Sequence, residues 1–211
     1  MGRREENKQR KREALEGEGL RLFLEHGYDR ASIEQITQAA GVARGTFYLY
    51  FPDKQALFGA LMDRWFDPMS ELLADVAEAL SAAASADEAW QIYRDMASGL
   101  AFLGLAHSDV ILLAFRESRT ASEAGLDLRR RESALLDRVV GFTEVVAARG
   151  LLDVPDARIA CLVVYGGVER LFYEVLTGSE LGDPARVAGL AVSLFERAMG
   201  RVSPEPAPES G

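Results

Sequence analysis

Around one short stretch of this chain, Thr46, Tyr48, Tyr50 and Lys54 supply hydroxyls and an ammonium that internal packing does not require. Hydroxyls and a lysine so spaced suit phosphate oxygens, the contacts that hold a protein in register on a duplex. Other chemistry is poorly served. Gly41 to Thr46 has the glycines of a phosphate loop but neither its Gly-Lys-Ser/Thr ending nor a preceding strand, so no nucleotide site is expected. His26 and His107, the two histidines, lie in no HxxxH or HExxH pattern and read as helix-end or packing residues rather than metal ligands. The acidic pairs Asp87-Glu88 and Glu117 with Glu123 have the groups of a general acid and base, but positions near helix starts account for them as caps and dipole partners. Cys161, the single cysteine, excludes an internal disulfide and reads as a small buried hydrophobe in an apolar run. The expectation is a protein with no catalytic residue, metal or cofactor, and not an enzyme.

The elements that must position the polar cluster are short helices. Ser32 and Gln35 have the spacing of a reciprocal capping box, so a helix starts there; Ile33, Ile36 and Ala40 then repeat at helical spacing. Gly41 supplies the permissive backbone for a tight turn into a second short helix that begins near Ala43. Upstream, residues 7–26 form a helix whose apolar face is Leu15, Leu20, Leu22, Phe23 and Leu24, with Gly27 at its end. These three helices make a small bundle with a predicted core of Leu20, Phe23, Ile33, Ile36, Val42, Phe47 and Phe51. Asp53 caps a fourth helix through Leu57, Phe58, Leu61, Met62, Trp65 and Phe66, which carries an apolar stripe out of this head. The outline is a helix-turn-helix.

The residues Tyr28-Asp29-Arg30-Ala31-Ser32-Ile33, Gly41-Val42, Gly45-Thr46-Phe47-Tyr48-Leu49-Tyr50-Phe51 and Asp53-Lys54-Gln55-Ala56-Leu57-Phe58 resemble the tetracycline-repressor (TetR) family of transcriptional regulators. The resemblance covers roughly the N-terminal quarter to third of the chain, and beyond it extends only to length and helical character. One position departs from the family: Ala43 stands where a capping Ser is usual, which leaves that helix end about 1 kcal/mol weaker. The resemblance implies an all-α fold, with an N-terminal three-helix DNA-binding domain followed by a larger helical domain for effector binding and dimerisation. It implies double-stranded DNA, a palindromic operator, as partner, read by Ser32, Arg44, Gly45, Thr46, Tyr48, Tyr50 and Lys54. Arg44, Gly45 and Thr46 would face base edges while Tyr48, Tyr50 and Lys54 hold phosphates, and Arg44 is the expected reader because a guanidinium can pair bidentately with guanine.

Downstream, Pro68 bends or breaks the fourth helix, and residues 72–84 resume it. Ser85-Ala86-Asp87-Glu88 and Thr120-Ala121-Ser122-Glu123 are two further capping boxes, the second opening a helix that ends at Gly150. The apolar run 110–115 has the length of a strand or a helix, and the lack of any neighbouring strand signal favours helix. The last helices, 155–176 and 183–199, interleave Gly166, Gly167, Ala188, Gly189 and Ala191 with Val163, Leu171, Leu190 and Leu194. That pattern suits either packing inside one chain or a homodimer seam built as a four-helix bundle, and the resemblance favours the homodimer, with Val163, Gly167, Leu171, Leu190, Ala191 and Leu194 at the seam. The resemblance also implies a small-molecule effector pocket between the body helices, for which Tyr93, His107, Arg116, Tyr165 and Glu169 are the candidate polar groups.

Charge supports the division. The chain carries a net −9, yet residues 1–60 hold ten Lys or Arg against nine Asp or Glu, leaving 14 against 24 for the remainder. Arg3, Arg4, Lys8, Arg10, Lys11 and Arg12 cluster at the start, either as an arm suited to phosphates or as a solvated tail. No apolar run is long enough for a membrane span and no secretory signal is legible, so a cytoplasmic location is expected. The expected domains are 1–52 for DNA, 53–202 for effector and dimerisation, and a disordered tail at 203–211. Two functions fit: a ligand-responsive DNA-binding regulator, most simply a repressor released by a small apolar effector, or a helical ligand-binding or scaffold protein whose N-terminal helices mediate protein contacts.

Overall fold

The structure is a computed structural model that describes residues 2–178, 181 and 184–198. The described residues form α1 (Arg3–His26), α2 (Ile33–Ala39), α3 (Arg44–Phe47), α4 (Lys54–Ala82), α5 (Ala86–Ala106), α6 (Ser108–Glu117), α7 (Glu123–Ala148), α8 (Ala157–Leu176) and α9 (Pro184–Ala198), with no strand among them. The all-α expectation is met, including helix for the run 110–115. No single helix among the described residues is long and apolar enough to cross a membrane. The tail expected at 203–211 lies outside the described residues.

The chain folds as two compact units, Met1–Met69 with Leu103–Ser133, and Ser70–Phe102 with Ala134–Gly211. The first is built on Leu15 and Phe23 of α1, Ile36 of α2, Phe47 and Phe51 around α3, and Leu57, Phe58, Leu61 and Met62 of α4, all buried. Phe23, Tyr28 and Phe58 form an aromatic cluster with ring centroids 5.3 to 5.8 Å apart, edge-on or tilted as ring quadrupoles prefer. Of the core read from sequence, Phe23, Ile36, Phe47 and Phe51 are fully buried, while Leu20, Ile33 and Val42 are half-buried. α6 and the first turns of α7 join this unit, contributing Val110, Leu113, Ala124 and Leu128. A Cβ at Gly19 would sit 2.7 Å from Leu57 Cδ2, so a side chain there would force Leu57 of α4 to shift.

The second unit packs Leu73, Val76 and Leu80 of α4 with Trp90 and Tyr93 of α5, Val140, Phe142 and Val146 of α7, and Cys161 of α8. A buried polar knot among its described residues is satisfied: Thr143 Oγ1 donates to the Val139 carbonyl at 2.7 Å and lies 3.0 Å from the Tyr93 hydroxyl, and the Cys161 thiol donates to it at 3.7 Å.

Several local expectations shift. α1 begins at Arg3 rather than near residue 7, so the basic cluster is helical and not an unstructured arm. Pro68 does not end α4, which continues through it to Ala82. The cap of α7 is not Thr120 but Ser122, whose Oγ accepts from Gly125 N–H at 3.0 Å; Thr120 instead turns its hydroxyl back onto the Glu117 carbonyl at 2.8 Å. α8 starts at Ala157 because Asp156 caps it, accepting from Ile159 N–H at 2.9 Å.

Candidate nucleic-acid interface

Sequence dictates the local geometry of the helix-turn-helix closely. Ser32 Oγ accepts from Gln35 N–H at 3.2 Å while Gln35 Oε1 accepts from Ser32 N–H at 2.9 Å, so both halves of the capping box are formed. Gly41 takes a φ of 65°, the left-handed turn residue after α2, and Val42 N–H returns to the Thr37 carbonyl at 3.0 Å. Ala43 precedes α3 without a side-chain cap, as its lack of a hydroxyl requires. α3 is a single turn, and Leu49 N–H to Thr46 and Tyr50 N–H to Phe47 carry the coil onward to Phe51.

Phe47 and Phe51, four residues apart, both point into the core, which turns the intervening face outward. On that face Arg44 and Gly45 are exposed, Thr46 and Tyr50 half-buried, and Tyr48 48% exposed. Arg44 makes no ion pair or hydrogen bond among the described residues, so internal structure does not account for its charge. A Cβ at Gly45 would meet nothing within 4 Å; packing leaves that position open to a close approach from outside. Leu49, 78% exposed, was missed by a reading that looked for polar groups. The signal was present: with Phe47 and Phe51 inward, a residue midway between them must face outward.

Lys54 is placed differently from the expectation of a phosphate-holding lysine. Its ammonium donates to the carbonyls of Tyr28 at 2.7 Å, Ala31 at 3.0 Å and Asp29 at 3.4 Å, and lies 4.2 Å from the centre of the Tyr28 ring. Burial lowers its pKa, with Asp29 and Glu117 acting in the opposite sense. Its three donors are occupied in bracing the turn between α1 and α2. The same turn is held from the other side by a residue that sequence reading assigned to helix-end work: Glu117 is buried, and its Oε1 accepts from Tyr28 N–H at 3.0 Å. Next to it, Arg116 donates to the Leu24 carbonyl of α1.

This head matches a family profile. Residues 18–61 fit the description "Bacterial regulatory proteins, tetR family". Among curated relatives, an HTH-type transcriptional repressor of Mycobacterium tuberculosis, Rv1474c, is 46% identical over 52 residues, 25% of this chain and 27% of that protein. The N-terminal domain is a TetR-family helix-turn-helix. The chain thus spans about a quarter of the length of that relative. The fold goes further. The secondary repressor NalD of Pseudomonas aeruginosa superposes with a TM-score of 0.73 at 24% identity, over 94% of this chain and 100% of that one. FadR of Bacillus subtilis, solved with stearoyl-CoA, gives 0.65 at 19% identity, over 86% and 96%. The whole chain therefore shares the fold of these two regulators.

The remaining expected site residues are divided between the two units. Tyr93 is buried in the second unit on Thr143; Tyr165 and Glu169 lie on α8 of that unit, exposed and half-buried. His107 and Arg116 belong to the first unit, His107 with a buried Nδ1 that has no hydrogen-bond partner, Arg116 exposed. Of the residues expected at a dimer seam, Val163 is 70%, Leu194 67% and Leu190 52% exposed, Gly167 is exposed, and Leu171 and Ala191 are half-buried.

Proposed function

We propose that this chain is a DNA-binding transcriptional regulator, a repressor that holds a palindromic operator as a homodimer and releases it when a small, largely apolar effector binds. The observation that carries the DNA-binding reading is the outward face of α3. A guanidinium at Arg44 that is unpaired among the described residues, an open glycine, a threonine and an exposed tyrosine stand there above the buried Phe47 and Phe51. The homodimer reading is supported by α8 and α9, where Ile159, Val163, Leu190 and Leu194 leave large apolar side chains in solvent beside Gly166, Gly167 and Gly189. The apolar effector class is supported by likeness to FadR, whose bound ligand is stearoyl-CoA. A route for the switch is supported by α6, which reaches the head through Glu117 and Arg116, so that a shift of α6 would displace the turn leading into α2.

Selecting bound fragments from the protein's own genome tests the reading directly. The native protein should enrich a site with two related halves, and Arg44→Ala should relax preference at one position in each half by about 1 to 3 kcal/mol. Failure to enrich any site, or an Arg44→Ala variant with unchanged preference, removes the assignment of this face to base edges. Metabolites that release the selected duplex then identify the effector class. By linkage, the duplex must weaken effector binding by the factor by which effector weakens the duplex; calorimetry giving equal effector affinities with and without duplex would end the switch reading.

A further inference from the structure

α1 is longer than the head it serves. Its first buried residue is Leu15, and every residue from Gly2 to Glu13 is exposed, so the helix overhangs the core by about 15 Å at 1.5 Å per residue. Leu15, Gly19, Leu22 and Phe23 define the line of α1 that faces the core. Four, seven and eleven residues before Leu15 stand Lys11, Lys8 and Arg4, and seven before Gly19 stands Arg12. Those spacings keep all four on the core-facing line, with Glu5, seven residues before Arg12, as the one acid beside them, so the inner face changes from apolar to mainly basic where the core ends. Glu6 and Glu13 fall on the opposite face, with Arg3 and Arg10 also turned away.

The direction of this face is fixed by contact. The Arg12 guanidinium lies 5.3 Å from the centre of the Phe51 ring, which directly follows the exposed Tyr48-Leu49-Tyr50 turn. The basic line therefore leaves the head beside the end of the reading segment. Arg4 and Lys11 have no ion pair among the described residues. Lys8 meets Glu5 at 4.0 Å and Arg12 meets Glu16 at 2.8 Å, on-helix pairs that solvent-exposed geometry makes weak and exchangeable.

We infer that the overhanging inner face of α1, through Arg4, Lys8, Lys11 and Arg12, binds the phosphate backbone of duplex DNA next to the bases read by α3. The partner is a polyanion because four cations stand against the single acid Glu5 on the overhanging face, and it is the same duplex because the face is continuous with the reading segment; the inference rests on the DNA-binding reading above. Charge contacts of this kind carry no sequence preference and appear in the salt dependence of binding.

The experiment uses the full chain and a duplex that the native protein selects from a randomised pool with long constant flanks. Native protein, an inner-face variant (Arg4→Gln, Lys8→Gln, Lys11→Gln) and an outer-face variant (Arg3→Gln, Arg10→Gln) are titrated across salt concentrations. Glutamine keeps the helix propensity, and circular dichroism checks it. The inner-face variant should lose about 0.9 of log-log salt slope for each phosphate contact removed per head while keeping the same preferred bases. The outer-face variant should retain the native slope, as should an inner-face lysine replaced conservatively, Lys8→Arg. Trimming the constant flank nearest one end of the half-sites should bring native protein and inner-face variant to the same affinity. An unchanged slope in the inner-face variant, or equal losses from both variants, overturns the inference while leaving the reading by α3 intact. Selection of no duplex by the native protein overturns both.

Discussion

Lys54 braces rather than reaches. A charged donor shared among three carbonyls of one turn contributes to holding that turn, and hydrogen bonds to charged groups are worth about 1.5 to 3 kcal/mol each when a buried partner would otherwise be left unmatched. Because Lys54 is only half-buried and water can replace part of what it supplies, Lys54→Ala is expected to destabilise the intact protein by about 2 kcal/mol in denaturant unfolding. It should leave the salt slope of DNA binding unchanged. A variant of native stability with a diminished slope would return Lys54 to the phosphates. Tyr28, at the centre of the same brace, gives a prediction in pH. Burial, with smaller contributions from nearby carboxylates of which Glu123 is the largest, pushes its phenol up from 10.0 to about 12. The fold therefore favours the neutral phenol: this contribution to stability is whole below pH 10 and is lost as pH rises through about 12. In Tyr28→Phe the decline of stability across that window should be shallower than in the native protein. Parallel unfolding curves for the two proteins from pH 9 upward would rule this out.

At the scale of the element, α3 is the shortest helix of the head and the one proposed to face DNA. It has a single α-helical turn, and its N-terminal residue Ala43 accepts no backbone hydrogen. Replacing Ala43 by Ser supplies that acceptor and should raise stability by about 1 kcal/mol, read as a higher denaturant midpoint at unchanged slope. If the midpoint does not move, the start of α3 is already satisfied in some other way. α2 needs no such repair, since Ser32 and Gln35 complete each other. Gly19 and Gly41 illustrate two uses of one residue type: the first gives way to Leu57 of α4, and the second takes a backbone angle of 65° that side chains resist.

For the whole molecule, the proposed homodimer needs a surface on which two copies can meet. Large apolar side chains left in water on α8 and α9 are the feature that a second copy would cover. Val163→Asp and Leu194→Asp place charge where 70% and 67% of the side chain's surface is exposed in the single chain, so neither should harm the fold of an isolated subunit. Each should shift sedimentation from two chains to one and abolish binding to a two-half site while a single half-site retains its weak affinity. Variants that remain dimers would move the seam elsewhere.

The sequence by itself determined what depends on neighbours along the chain. The Ser32 box, the Gly41 turn, the missing cap at Ala43, the Asp53 cap and the helical state of the run 110–115 are matters of spacing and backbone preference, and each is found where spacing put it. Three-residue registers were less secure: Ser122 displaced Thr120 as the cap of α7 because both hydroxyls were in reach and the Glu117 carbonyl claimed the first. Tertiary structure alone decided the fate of Lys54 and Glu117. They converge on Tyr28 from positions 26 and 89 residues away, a meeting that no local pattern records. It also decided that α6 belongs with the head and that the basic start of α1 is a rigid extension of its core-facing line. The reason is the same throughout: hydrogen bonds within a helical turn are made between residues that the sequence already places side by side, whereas a buried charge finds its partner only after the helices have packed.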